Sequence, residues 1–470
     1  MLWMRKIYTL VICTWILMTT GCSVTANEGG NMISWYDPIL AQGVSQIFGK
    51  PIEDVTQYDL SQVKSLVISN TGTLSMYVPD SDLPKIEIPN SFVTTLRDLE
   101  KFSSLESLRI YARSNQLKGY EFLGNIDTLT SLNLSGSILP EDILHQLSGI
   151  SNLQYLHIPY MEIDYSVLTA MDNLKELQIA QASAGEKLSF TQLNTLPTTG
   201  INIKLAGVIL CDTEIPFIAS HSNIVEMTWF TEQENLLLIS SDSQIEHLYV
   251  QGIDSLEGVQ SLSNLQSLRI HSTSRKLNDL SPLSGLKTLK NITLSTNATN
   301  EISLQSLTNL TQLESLELQA EFLPSLDGIQ SLSNLKRLSV TMSLLEEIGA
   351  IRNLKQLTHL DLSGNLLTDI SALGNLNNLG YLDLSGNEIT NISAIRSLSN
   401  LKVLYLDDNQ LEHSQKELAT ILKSCSDLEW FYAGSMYQEW FEKTFPDVRW
   451  GNEDLERNAQ WLYEQQENTK

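Results

Sequence analysis

Cations and cysteines are scarce in this chain of 470 residues. Its 30 Lys and Arg face 55 Asp and Glu, a formal net charge of −25. Binding a phosphate backbone takes clustered cations, so no nucleic-acid partner is expected. The acidic excess reads instead as a solvated outer surface. The cysteines are Cys13, Cys22, Cys211 and Cys425, and no pair has the close spacing of metal ligands. Catalytic signatures are missing as well. Gly43 and Gly49-Lys50 imitate a phosphate loop, but five residues separate the glycines and Pro51 replaces the Mg²⁺-binding hydroxyl. There is no His-Glu-x-x-His, Gly-x-Ser-x-Gly or Cys-x-x-Cys. No enzyme, cofactor or metal centre is expected.

What is present is a period. Leu357-Leu360-Leu362-Asn365, Leu379-Leu382-Leu384-Asn387 and Leu401-Leu404-Leu406-Asn409 recur every 22 residues. Such an interval marks a solenoid, whose units bury their apolar faces only against one another. In Leu-x-x-Leu-x-Leu the last two leucines point inward from one short strand, and the residue between them points out. Ile370, Leu373, Leu376 and Leu379 follow at intervals of three, which suits a 3₁₀-like outer side. The Asn amide can bond neighbouring turns in a stacked ladder. The pattern is that of a leucine-rich repeat, and the fold class is an α/β solenoid. We expect a horseshoe with its parallel sheet on the concave face, a 3₁₀-like or irregular convex side, and helical caps at both ends.

Followed backwards, the template meets Leu335-Leu338-Val340, Leu313-Leu316-Leu318, Leu289-Ile292-Leu294, Leu265-Leu268-Ile270, Ile245-Leu248-Val250 and Ile224-Met227-Trp229. It resumes at Leu174-Leu177-Ile179, Leu153-Leu156-Ile158, Leu129-Leu132-Leu134 and Leu105-Leu108-Ile110, with weaker matches at Leu83-Ile86-Ile88 and Val63-Leu66-Ile68. Between 180 and 223 the phase is lost, and Ile201 with Ile203 is the best candidate for the missing strand. The array covers 63–411 in about sixteen units, roughly 75 Å of sheet. The Asn position is filled at Asn297, Asn365, Asn387 and Asn409. Elsewhere it holds residues such as Ser137, Met161, Thr273, Glu321 and Ser343, so a less regular N-terminal half is expected.

The ends differ from the array. Arg5 and Lys6 precede an apolar segment from Ile7 to Met18, too short to span roughly 30 Å of hydrocarbon as a stable helix. This reads as a signal peptide over 1–21. The Gly21-Cys22 junction resembles the lipobox of bacterial lipoproteins, with Thr19 where that box usually has Leu. The resemblance implies lipidation of Cys22 and a flexible tether over 22–34. The alternative is cleavage after Ala26 and a soluble secreted product. Residues 35–62 resemble the helical cap of exported leucine-rich-repeat proteins. At the other end, 412–452 reads as a cap. Leu418, Ile421 and Leu422 lie on one face of a helix there, followed by Leu428, Trp430, Phe431, Trp440, Phe441, Phe445 and Trp450. A polar tail fills 453–470. Cys211 and Cys425 stand about nine repeats apart, beyond the roughly 5–6 Å between Cα atoms that a disulfide takes, so buried single thiols are expected.

The segments 360–370 and 382–392, both beginning Leu-Asp-Leu-Ser-Gly-Asn, resemble the repeats of internalin-type bacterial surface proteins. The resemblance is specific over 335–411. It implies an exported array that binds a protein or glycan on its concave side. No immunoglobulin-like block and no Leu-Pro-x-Thr-Gly sorting signal accompany it, so lipid on Cys22 would supply the membrane attachment. A monomer is expected. A structural envelope spacer without a ligand is the alternative, and a surface hydrolase the least favoured. His157, His247, His271 and His359 fall at outward positions of strands, and His145, His221 and His413 do not. Two outward groups are candidate partner-binding sites. One is Phe230, His247, Tyr249, Arg269 and His271, with Tyr249 and Arg269 side by side. The other is Arg337, His359, Asp361, Tyr381, Asp383 and Tyr405. Tyr and Arg are the types enriched at binding hot spots.

Overall fold

The computed structural model describes residues 33–69, 73–79, 83, 86–88, 92–112, 117–180, 190–210, 221–230, 235–237, 243–434 and 437–450. The signal segment, Cys22, Cys211 and the 453–470 tail lie outside the described residues. The chain divides into two units, 1–208 and 209–470.

In the first unit, helix α1 (Pro38–Phe48) and helix α2 (Gln57–Ser61) precede strand β1 (Ser65–Ser69). Asp37 caps α1, accepting from the amides of Ile39 and Leu40, and Pro38 takes the first helical position, where no N–H is needed. Leu40, Val44 and Ile47 supply the buried face of α1. Strands β2 (Thr73–Tyr77) and β3 (Ile86–Glu87) run antiparallel, β2 on β1 and β3 on β2. The Leu83-Ile86-Ile88 match is therefore part of a hairpin and not a repeat. The parallel array proceeds from β1 directly to β4 (Ser107–Tyr111), then to β5 (Ser131–Asn133), β6 (Tyr155–Pro159), β7 (Glu176–Ala180) and β8 (Asn202–Leu210). A short helix α3 (Ile143–Leu147) replaces the usual 3₁₀ turn between β5 and β6. In β8 the inward pair is Ile203 and Leu205, opposite Leu177 and Ile179. The expected Ile201–Ile203 pair was two residues out of register.

In the second unit, β9 (Ile224–Phe230), β10 (His247–Gln251), β11 (Ser267–Ser272), β12 (Asn291–Thr296) and β13 (Ser315–Ala320) pair in parallel. They continue through β14 (Arg337–Thr341), β15 (His359–Asp361), β16 (Tyr381–Asp383) and β17 (Val403–Tyr405). Leu338, Leu360, Leu382 and Leu404 stand in one column of this register, all fully buried. The 3₁₀ segments Gly349–Asn353, Ser371–Asn375 and Ser393–Ser397 bury Ile351, Leu373 and Ile395 against the back of those columns. Each unit is a leucine-rich-repeat solenoid.

The Asn ladder forms where the 22-residue period holds. Asn365 Nδ2 donates to the carbonyls of Val340 (2.7 Å) and Leu362 (3.0 Å), and its Oδ1 accepts from the amides of Ser343 and Leu345. Asn387 and Asn409 make the same two donor bonds and accept one amide each, from Leu367 and Ile389. Asn297 does not, because it is exposed. In β11, β12 and β13 the strand runs longer and turns a small residue inward, at Ser272, Thr296 and Ala320. The hydroxyls of Ser272 and Thr296 bond carbonyls of the preceding connection. Ser137 and Ser343 also do ladder work, each accepting a neighbouring repeat's amide.

The parallel register extends beyond residue 411. Helix α4 (Gln415–Leu422) opens with a Ser414–Glu417 capping box and buries Leu418, Ile421 and Leu422. After it, β18 (Trp430–Tyr432) pairs with β17, and β19 (Arg449–Trp450) pairs with β18. Helix α5 (Gln438–Thr444) stacks Phe441 on Phe431 and Phe445, with ring centroids 4.7 and 4.9 Å apart. No helix among the described residues is long and apolar enough to cross a membrane.

Candidate functional site

The sheet face turned away from the core in the second unit is built from the residues between the inward leucines. Register sets them in columns. One column runs Thr228, Tyr249, Arg269, Thr293 and Glu317, and continues through Ser339, Asp361, Asp383, Tyr405 and Tyr432.

The first candidate group sits on β10 and β11. Tyr249 and Arg269 are register partners, and the Arg269 guanidinium lies 5.8 Å from the Tyr249 ring centroid. Gln251 Nε2 donates to the Tyr249 hydroxyl at 2.5 Å. Arg269 and His271 are exposed, and His247, Tyr249 and Gln251 are half-buried. His247 pairs with Ser267 while His271 pairs with Gln251, so the two imidazoles belong to different columns. The Phe230 backbone pairs with Gln251, and its side chain is outside the described residues. Among the described residues no group of three or more His, Cys, Asp or Glu could hold a metal ion.

The second group is arranged otherwise than expected. Its central members are buried on the outward face, with Tyr405 only 4% and Tyr381 only 7% exposed. The rings of His359 and Tyr381 stack at 4.1 Å, and Tyr381 tilts against Tyr405 at 6.0 Å. Trp430 and Tyr432 pack onto Tyr381, Val403 and Tyr405 from β18. Large side chains in consecutive register positions therefore cover one another and close the surface. The two aspartates also have structural roles, since Asp361 and Asp383 each accept from the amide and hydroxyl of the Ser two residues on. Asn133 does the same for Ser135 in the first unit. Arg337 and Asp361 remain half-buried at the margin.

Burial shapes the chemistry of this cluster. Desolvation, then the Arg337 charge, hold His359 down at about 3. Desolvation, with Asp361 alongside, pushes Asp383 up to about 6. In the first unit desolvation and the Arg109 charge lower His157 to about 4. These groups resist charging because they are enclosed.

Sequence reasoning did not foresee Trp430 and Tyr432 as outward strand residues. Their aromatic run was read as cap because no Leu-x-x-Leu-x-Leu marks β18. His413, set aside from the frame, accepts the Ile392 amide at 3.0 Å through Nε2 and extends the ladder. Cys425 is buried, with its thiol pushed up to about 11 by desolvation.

Residues 355–397 match the family model for leucine-rich repeats in two copies. No curated protein matches the chain. Among solved structures, a leucine-rich-repeat protein of Leptospira interrogans matches at a TM-score of 0.53 and 20% identity, covering 76% of this chain and 93% of that one. An internalin of Listeria monocytogenes aligns at 22% identity over 84% of this chain and 94% of its own, with a TM-score of 0.41. The ectodomain of a plant receptor kinase from Arabidopsis thaliana, solved with a protein named Casparian strip integrity factor 2, aligns at 18% identity. It covers 72% of this chain and 49% of that one, with a TM-score of 0.44.

Proposed function

We propose that this leucine-rich-repeat protein is an exported binding protein, held at the outer face of a bacterial membrane by lipid on Cys22, that engages a protein partner through its open sheet face. The observation that carries the reading is the β10–β11 group. There an exposed Arg269 lies beside a Tyr249 ring whose hydroxyl accepts from Gln251, and the next strand sets the small Thr293 and Ser295 beside Arg269 and His271. A cation over a ring, backed by a rigid sheet, offers contact area at small loss of rotamer freedom. In a chain of net charge −25 this local basic and aromatic character selects an acidic or planar surface on the partner. A glycan is the second ligand class that such a group can take. A monomer suffices for this reading.

Affinity capture with the purified array from envelope and host proteins and glycans identifies the partner. Truncating a hot-spot Tyr or Arg costs at least about 2 kcal/mol, roughly thirtyfold in Kd. Tyr249→Ala with Arg269→Ala should therefore weaken binding by that factor in a fully folded protein. Unchanged affinity in the folded variant removes this site from the reading. A spacer without a ligand would tolerate charge reversal across the open face, whereas a receptor would not. For the anchor, a fatty-acid probe should label the wild type and not Cys22→Ala; equal labelling would dispose of lipidation while leaving export untouched.

A further inference from the structure

The loop that follows β14 departs from the two that come after it, and differs also from the third, where the short polar Asp408 takes the turn at φ 52°. Gly364 and Gly386 occupy equivalent turn positions with φ of 68° and 62°, the left-handed region that glycine enters at no steric cost. One repeat earlier the position holds Met342, at φ 50°, and two residues on Leu344 has φ 54°. The equivalence is visible in the backbone, where Met342, Gly364 and Gly386 each donate to the next repeat's loop, at Ser363, Ser385 and Asp407. Large side chains in this region are strained, and the strain persists because Asn365 accepts the amides of Ser343 and Leu345 and holds the turn in place.

Core packing does not account for the side chains. Met342 is 69% and Leu344 46% exposed, and Phe322 and Leu366, one repeat to either side of Leu344, are also exposed. Gly364 leaves room beside Met342, since a Cβ built there would stand 3.1 Å from Met342 Cγ. Four large apolar side chains thus form a ridge along the loop edge of β13–β15. Around it the loops that follow β13–β16 carry Glu321, Asp327, Glu346, Glu347, Asp369 and Glu388, against Arg352 and Arg396 in the 3₁₀ segments that end two of them.

We propose that this ridge is a second docking surface, separate from the open sheet face, for a protein segment whose apolar side chains are flanked by Lys or Arg. Contiguous exposed apolar area marks interaction sites, and the acidic surround selects a cationic partner. The same carboxylates disfavour a second copy of this chain or an anionic lipid surface.

The test uses a fluorescein-labelled amphipathic helical peptide of Leu and Lys, read by anisotropy against the purified protein. A Gly/Lys peptide of equal charge and zwitterionic vesicles serve as controls. The wild type should bind the Leu/Lys peptide and not the controls. Met342→Gly with Leu344→Asn should weaken that binding at least tenfold without lowering the unfolding temperature, because both residues suit a positive φ. Tyr249→Ala with Arg269→Ala should leave it unchanged, which separates this surface from the sheet-face site. The proposal is overturned by equal peptide affinity in the ridge variant or by equal binding of the Gly/Lys peptide. Vesicle binding without peptide binding, or loss of the fold in the ridge variant, would overturn it too.

Discussion

Replacing Asp383 with Asn should stabilise the protein, and the gain should depend on pH. Asp383 is 8% exposed, and burial followed by the Asp361 charge raises its carboxyl from 3.8 to about 6. A group whose folded pKa lies above its unfolded value contributes stability that is present below the unfolded value and is lost as pH rises through the folded one. Above pH 7 the ionised carboxylate therefore opposes folding, by about 3 kcal/mol for a shift near 2 units at 1.36 kcal/mol each. The turn need not suffer. Asp383 Oδ1 accepts from the Ser385 amide (2.9 Å) and hydroxyl (2.5 Å). Asn133 makes the same pair of bonds to Ser135, at 3.1 and 2.9 Å, without a charge. Neutral bonds are the weaker kind, which leaves a net gain of about 1–2 kcal/mol. At roughly 2 °C per kcal/mol for a unit of this size, the unfolding temperature at pH 8 should rise by about 2–4 °C. At pH 4.5 the wild-type carboxyl is already protonated, and most of the difference should disappear. His359, held at about 3, stays neutral at both pH values in both proteins and does not confound the comparison. Thermal unfolding of the two proteins at pH 8 and 4.5 checks this. A variant no more stable at pH 8, or equally advantaged at both pH values, refutes the reasoning.

Asn365→Ala should cost about 3 kcal/mol, since it strips partners from the carbonyls of Val340 and Leu362 and from the amides of Ser343 and Leu345. Hydrogen exchange should quicken at Ser343 and Leu345 before it does at Leu66. Asp37→Ala should cost about 2 kcal/mol, because the carboxylate caps α1 and also accepts from the amide and hydroxyl of Thr94. Limited proteolysis should then cut near residue 50 sooner than in the wild type. Cys425 should resist maleimide in the native protein at pH 7.5 and react once denaturant unfolds the chain, which peptide mass mapping resolves.

The solenoid was legible in the sequence because its physics is periodic. Each inward Leu of 338, 360, 382 and 404 meets the same environment, so the pattern that predicts one strand predicts the next. Legibility failed where a local substitute does the same work with different residues. Ser137 and Ser343 take ladder duty with a hydroxyl. Strand β12 has six residues where β15, β16 and β17 have three, so Thr296 turns inward and Asn297 out. The β2–β3 hairpin has the apolar residues of a repeat but lacks its parallel partner. At the sites, register predicted neighbours better than exposure. Tyr249 and Arg269 meet as the frame requires, yet the frame carries no information about whether consecutive aromatic residues will roof one another, as Tyr381 and Tyr405 do.

That roofing decides which outward side chains of the second unit stay exposed. A large outward side chain stays exposed when at least one register neighbour is small and is enclosed when both are large. At Arg269 the next strand offers Thr293, which leaves the guanidinium exposed. At Tyr381 the neighbours are His359 and Val403, and the ring is enclosed. Tyrosines in two different columns of one face thus differ in exposure, Tyr249 half-buried and Tyr381 enclosed. Enlarging Thr293 to Tyr would test the principle directly, because it should bury Arg269 and weaken partner binding without touching either Tyr249 or Arg269. If Thr293→Tyr leaves Arg269 as reactive toward a guanidine-directed reagent as before, neighbour size does not govern exposure on this face.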